Sequence, residues 1–260
     1  MSLSELPQPI KDYIMKRIND EDYEPMPNTY SLTELLGCIR QTHLKKIYMS
    51  THEGKSKPFN LESCYSFYRG KLFDAEWTRL FKRSQIRCTF RTPKMPVTVS
   101  GHFDFVYDNA VWDLKTTKNL YFVKEASSQY INQVRFYAFC NSLKYGKLLY
   151  IDMGGCKVFD VPIGDCTELM QDIENRAITL YNSLINLYCT TCHKQLPPDF
   201  DSKNGEVCPN CNIATMGELK APQKPIFAKN EAWHCDKKYC QFESECRADE
   251  DKFQMKLNLF

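Results

Sequence analysis

Between Gly101 and Thr117 the chain reads GHFDFVYDNAVWDLKTT, two alternating segments on either side of Asp108-Asn109. Asp and Asn both tolerate the positive φ that a two-residue hairpin loop requires, so this stretch predicts two antiparallel strands joined by a tight turn. Pairing residues outward from the turn sets Asp104 opposite Asp113 on one face of the ladder, with Cβ atoms roughly 4.5–5.5 Å apart. Lys115 lies two residues beyond Asp113 and projects from the same face.

Two carboxylates opposed this closely repel, and burying them is costly unless a cation lies between them. Their oxygens suit Mg²⁺ or Mn²⁺. A neighbouring lysine can orient a water or stabilise charge growing on a phosphate, which is the chemistry of phosphodiester hydrolysis. The same residues also fit a surface hairpin whose aspartates pair with nearby lysines or with His102, and a loop longer by one residue would undo the register.

Around the hairpin the periodicity predicts a mixed α/β core, a central sheet flanked by helices. Helices are expected over 9–19, 31–49 and 61–83, the second opened by a capping box, Ser31-x-x-Glu34. Strands follow at Ile86–Thr92, Val97–Tyr107 and Ala110–Thr117, then a helix at 123–143. Strands at Lys147–Met153 and Gly155–Val161 come next, and a long helix from Asp165 ends near Tyr188. After Cys189 the periodic hydrophobicity gives way to Pro, Gly, Asn, Lys and paired cysteines.

At 260 residues with 43% apolar and 25% charged residues, the composition is that of a globular protein. No apolar run approaches the ~20 residues needed to span a membrane. The N-terminus MSLSELPQPIKDY lacks the basic-then-apolar order of a secretion signal. A soluble, intracellular and cytoplasmic protein without a membrane partner is expected. The net charge of +2 neither suggests nor excludes a polyanion. A basic stretch, Arg79 to Lys94 with Phe81 and Phe90 among the cations, is a candidate nucleic-acid patch or simply a solvated face.

The pattern D…DxK on adjacent strands, carried by Asp104, Asp113 and Lys115, resembles the core of the PD-(D/E)xK nucleases. Gln133-Val-Arg-Phe-Tyr137 is similar to the QxxxY helix signature of the RecB-like branch, and Gln133 and Tyr137 share one helix face. Gly70-Lys-Leu-Phe-Asp74 resembles that branch's G-x-x-x-H motif, with Asp74 at the histidine position. Glu76 is about 200° around the helix from Asp74, so only one of them can face the site. The resemblance implies a restriction-endonuclease-like fold and Mg²⁺ or Mn²⁺ held by Asp74, Asp104, Asp113 and the Leu114 carbonyl. It also implies catalytic roles for Asp104, Asp113, Lys115, Gln133 and Tyr137, with Lys115 orienting the attacking water.

Thirteen cysteines are the main compositional anomaly, seven of them between Cys189 and Cys246. An odd count without a secretion signal reads as metal ligation rather than disulfides. Cys189-x2-Cys192-x15-Cys208-x2-Cys211 has the spacing of a Cys₄ zinc ribbon. Cys38 with Cys235-x4-Cys240-x5-Cys246 resembles the one-plus-three cysteine arrangement of RecB-like iron–sulfur nucleases. The CRISPR-associated exonuclease family is the nearest in pattern, and the nuclease domain of the eukaryotic Okazaki-fragment helicase–nuclease is similar. That resemblance implies a 4Fe–4S cluster clasping the two ends of the fold. The eight ligands could also share one metal, or the tail could hold a second zinc. Cys64, Cys88, Cys140, Cys156 and Cys166 read as small buried hydrophobes.

The expected organisation is a helical segment (1–30), a nuclease core (31–188), a zinc-ribbon insertion (189–225) and a cysteine-bearing C-terminal segment (226–260). The function implied is a metal-dependent exonuclease on single-stranded DNA ends, acting in CRISPR adaptation or in recombination and repair, with a protein partner for the ribbon. Two rivals stand beside it: a non-cleaving nucleic-acid-binding scaffold on the same fold, and a zinc-ribbon interaction protein with a purely structural core.

Overall fold

The computed structural model describes residues 3–20, 28–52, 55–93, 97–184, 187–189, 207, 212, 216–218 and 240–246. In chain order the main elements are α1 (Gln8–Asn19), β1 (Thr29–Ser31), α2 (Leu32–Leu36), α3 (Ile39–Thr51) and α4 (Leu61–Trp77). Strands β2 (Ser84–Arg91), β3 (Thr98–Tyr107) and β4 (Ala110–Thr116) come next, then α5 (Ser128–Cys140). The core closes with β5 (Tyr145–Ile151), β6 (Cys156–Pro162) and α6 (Thr167–Leu184). A short antiparallel pair, β7 (Leu187–Cys189) with β8 (Met216–Glu218), forms a second sheet.

The large sheet runs β1-β3-β4-β5-β6, with β2 antiparallel to β3 along its other side. The β3–β4 hairpin closes on Tyr107 and Ala110, and Asp108 and Asn109 have φ of 49° and 53°. That is the type I′ geometry these residues favour. β4 and β5 are parallel and joined through α5, whose buried face is Gln133, Val134, Phe136, Tyr137 and Ala138. Parallel neighbours need such a crossover.

Helices cover both faces of the sheet. On one, Leu32 and Leu35 of α2, Val134 and Phe136 of α5 and Ile173, Ala177 and Leu180 of α6 pack with Val99, Phe103, Val111 and Leu148. On the other, Phe73 and Trp77 of α4 and Phe81 pack with Phe105, Leu114, Leu149 and Ile151. β2 lies at the sheet margin with Arg83, Arg87 and Arg91 exposed, charges that guard an open strand edge against pairing. Among the described residues no helix is long and apolar enough to cross a membrane.

Some expectations need correction. The helix predicted over 31–49 is two helices: Gly37 is extended (φ −87°, ψ −151°), and the Cys38 thiol caps α3 by accepting from Gln41 N at 3.5 Å. The expected capping box is present: Ser31 ends β1 and caps α2, and Glu34 Oε2 accepts from Ser31 N at 3.3 Å. Of the five cysteines expected to be buried, Cys64, Cys88 and Cys166 are, Cys140 is half-buried, and Cys156 is exposed at the start of β6.

Close packing of α5 on β5 depends on Gly146. A Cβ there would fall 2.3 Å from Val134 Cγ1 and 3.1 Å from Ile163 Cδ1. Gly146→Ala must therefore displace Val134 or the helix that carries it, and should lower stability by about 1–3 kcal/mol in a denaturant titration.

Candidate active site

β3 changes partners along its length. Near the turn it pairs with β4 as far as Phe105 opposite Trp112; at its start, Thr98–Ser100 pair instead with β1 in parallel. Between these stretches the two hairpin strands part, and the carboxylate of Asp104 occupies the opening. Its Oδ2 accepts from Leu114 N at 2.5 Å, taking a main-chain donor that the diverging ladder leaves over. Its Oδ1 accepts from Gln85 Nε2 at 3.3 Å.

The face alternation of β3 shifts at the same point. Val99 and Phe103 pack in the α5-side core, Phe105 in the α4-side core, and Val106 against the α5-side core again. Gln85, in the β2 stretch facing Asp104, has φ +49°. A non-glycine residue in this conformation carries strain of order 1–3 kcal/mol, which tends to persist at functional sites. Gln85 is the site residue that sequence reasoning missed. Its signal is faint, because glutamine does not advertise a left-handed backbone.

Asp113 and Lys115 are placed by β4, on the same face as Val111. Asp113 is 2% exposed. Its Oδ2 lies 2.5 Å from Lys115 Nζ as an ion pair and has no hydrogen-bond partner among the described residues. The Lys115 ammonium also sits 4.8 Å from the centre of the Tyr130 ring. Gln133 Nε2 donates to the Tyr137 hydroxyl at 2.8 Å and lies 3.4 Å from Thr33 Oγ1. The Tyr137 ring comes so near β3 that a Cβ on Gly101 would stand 2.7 Å from its Cε1.

Asp74, half-buried on α4, belongs to the same electrostatic group. Burial raises its pKa and Asp113 adds to the rise, while Lys115 and Lys71 oppose it. Glu76 is exposed and pairs with Arg79 at 3.1 Å. The fold thus brings Asp74, Asp104, Asp113, Lys115, Gln133 and Tyr137 into one neighbourhood and turns Glu76 away from it.

The charges are held under tension. Burial, then the Asp113 and Asp74 carboxylates, push Asp104 up to about 7, against the Leu114 N–H bond and Lys115. Burial likewise raises Asp113, with Lys115 pulling the other way. Burial works against the Lys115 charge, but Asp113 and Asp104 outweigh it and its pKa is raised. Two buried acids kept from easy ionisation form a donor set that a hard divalent cation would satisfy. Among the described residues no three His, Cys, Asp or Glu side chains are gathered closely enough to hold an ion by themselves. Any ion here would draw on main-chain or water oxygens as well.

A pH effect follows. With the folded pKa of Asp104 near 7, the native state keeps a proton that the unfolded chain has released above about pH 4. This group's contribution to stability is therefore full below pH 4, falls as pH rises, and is lost above 7. The metal-free protein should melt at a lower temperature at pH 8 than at pH 5.5, and Asp104→Asn should flatten that slope. Mn²⁺ should raise the melting temperature more at pH 8, where the carboxylates are ionised. Thermal melts at both pH values, with and without Mn²⁺, test this; equal slopes in the two proteins would contradict it.

The cysteine assignments are only partly within view. Cys192, Cys208, Cys211 and Cys235 lie outside the described residues, and Cys189 ends β7. Cys240 and Cys246 belong to a short segment docked beside α3: Arg40 Nη2 donates to Cys246 O at 3.3 Å, and Tyr48 meets the buried Phe242 edge-on.

No family model matches the chain, and no curated protein matches it. Among solved structures it is similar to SSO0001, with a TM-score of 0.52 and 16% identity over 65% of this chain and 85% of that one. That likeness shows a shared fold. An alkaline exonuclease, LHK-Exo from Laribacter hongkongensis, aligns with a TM-score of 0.40 and 8% identity over 66% of this chain and 94% of that one. The same enzyme in complex with dAMP aligns with a TM-score of 0.38 and 11% identity, over 59% and 92% of the two chains.

Proposed function

We propose that this chain is a Mg²⁺- or Mn²⁺-dependent deoxyribonuclease of the RecB-like PD-(D/E)xK type, acting as an exonuclease on single-stranded ends. The observation that carries the reading is the parting of β3 and β4. It leaves two buried carboxylates, Asp104 and Asp113, beside a half-buried lysine, with Asp113 Oδ2 lacking a hydrogen-bond partner among the described residues.

Asp104, Asp113, the Leu114 carbonyl and Asp74 would hold the cation. When bound, a divalent ion polarises the scissile phosphate and makes a coordinated water more acidic. Lys115 orients the attacking water and offsets negative charge on the phosphate. Its own charge is secured by Asp113 and by the Tyr130 ring. The Gln133–Tyr137 hydrogen bond fixes the Tyr137 ring against β3, forming a rigid floor for the lysine or the DNA backbone. Gln85 and Leu114 N orient Asp104 so that it need not reorganise during the reaction.

In the same reading, Cys38, Cys235, Cys240 and Cys246 carry a 4Fe–4S cluster. Cys189, Cys192, Cys208 and Cys211 bind Zn²⁺ in a ribbon that docks a protein partner or structured DNA. A place in CRISPR adaptation or recombination and repair, in the cytoplasm, is the setting that fits such an enzyme.

The test is cleavage of end-labelled single-stranded DNA by anaerobically purified protein. Cleavage should require Mg²⁺ or Mn²⁺, stop with chelator, and progress from an end. Binding without cleavage under every metal condition would establish the scaffold reading instead.

A further inference from the structure

Just past Lys115 the chain leaves β4 and makes a single 3-10 turn, Leu120–Phe122. The turn is fastened from several sides. Asn119 Oδ1 accepts from Tyr121 N at 2.8 Å, and Asp152 Oδ2 accepts from Leu120 N at 2.8 Å. Lys157 Nζ donates to Leu120 O at 2.8 Å and to Val123 O at 2.9 Å. Leu120 and Val123 pack inward against the main core. With its backbone held so, the turn presents its remaining side chains to solvent.

Those side chains are Tyr121 and Phe122, 77% and 76% exposed. Their ring centroids are 5.4 Å apart and their planes meet at 85°, so they offer faces in two directions. Displaying two adjacent large rings to water forgoes the burial that aromatic side chains normally contribute. The segment Lys118–Lys124, KNLYFVK, carries two lysines and no acid. Lys124 is exposed, and Lys118 is 66% exposed, reaching Glu62 at 3.2 Å. Tyr121 is six residues from Lys115, so even a fully extended chain would separate their Cα atoms by at most about 22 Å.

Resting on the nuclease reading, we propose that Tyr121 and Phe122 are a base-stacking platform that receives single-stranded nucleic acid next to the Asp104–Asp113–Lys115 site. Every base has a π-face, so stacking on exposed rings grips a strand without regard to sequence, and flanking lysines follow its phosphates. Basic residues interleaved with rings match a polyanion bearing unpaired bases. The rigid turn sets the rings at a fixed reach from the catalytic lysine, and so helps to define how far from the stacked base the strand is cut.

The experiment measures binding of a short fluorescent oligothymidylate to the full-length protein by anisotropy, with divalent metal chelated to prevent cleavage. Tyr121→Ala and Phe122→Ala should each weaken binding about tenfold. Tyr121→Phe and Phe122→Tyr should bind as the native chain does. An oligonucleotide of the same length made of abasic sites should bind more weakly and respond little to ring removal. Unchanged affinity for the base-bearing strand in both alanine variants overturns the platform, and the rings then serve another class of partner. If the native protein binds no DNA, the nuclease reading itself fails, and the platform with it.

Discussion

Asp113→Asn should reduce metal-dependent DNA cleavage by roughly 10²–10⁴-fold, with DNA affinity and the fold retained. The substitution is nearly isosteric and lies at a fully enclosed position, so packing against its neighbours is preserved. What it removes is a negative charge whose Oδ2 is paired with the Lys115 ammonium and has no hydrogen-bond partner among the described residues. Burial opposes the ionisation of Asp113 while Lys115 favours it, so neutralisation relieves one cost and leaves the ammonium short of its partner. A variant that melts no lower than the native protein yet cleaves poorly would mark a charge kept for function rather than for stability. Lys115→Ala should lose activity to a similar degree. Glu76→Gln should change little, since Glu76 is exposed and engages only Arg79 among the contacts described for it. Steady-state rates, anisotropy and melts on the three proteins decide the matter. Undiminished cleavage by both purified Asp113 and Lys115 variants would remove the catalytic assignment.

How much of this site could be read from the chain depends on how local its causes are. The hairpin was legible because Asp108-Asn109 states its turn type, and that turn fixes the register. The Gln133–Tyr137 hydrogen bond was legible because helical spacing alone places the two side chains together. Helical geometry likewise separates Asp74 from Glu76, while the choice of Asp74 rests on the motif resemblance. The parting of β3 from β4 was not legible. It accompanies β1, three residues remote in sequence that pair with Thr98–Ser100, and so short a strand has no periodicity to detect. The direct face-to-face pairing expected for Asp104 and Asp113 accordingly gives way to a carboxylate bonded to Leu114 N. The break at Gly37–Cys38 was hidden for a related reason. Apolar residues on both sides continue a helical pattern, and only the tertiary arrangement, with Arg176 donating to Leu35 O at 2.6 Å and Gly37 O at 2.7 Å, reveals where the chain turns.

That break bears on the second large effect, expected from Cys38→Ala. Cys38 is not within a helix but at the N-cap of α3, two residues before Arg40, which donates to Cys246 O. Gln241 Nε2 donates to Lys57 O at 2.7 Å, and Lys57 pairs with Glu245 at 2.7 Å, so the Cys240–Cys246 segment is tied to the region around α3 by its own contacts. Four thiolates gathered at such a juncture would join residues nearly the whole chain apart. Cross-linking so long a loop is worth on the order of 4–5 kcal/mol by analogy with a disulfide. On the proposed assignment, anaerobically purified native protein contains iron and sulfide and absorbs in the visible. Cys38→Ala and Cys235→Ala should each lose that iron and melt at a markedly lower temperature, while zinc content stays unchanged. Cys156→Ser, at an exposed position on β6, should keep both metals and serves as the control. Full iron content in the Cys38 variant would mean that the cluster takes its fourth ligand elsewhere. The contacts of Arg40 and Lys57 would then have to hold the C-terminal segment in place without it.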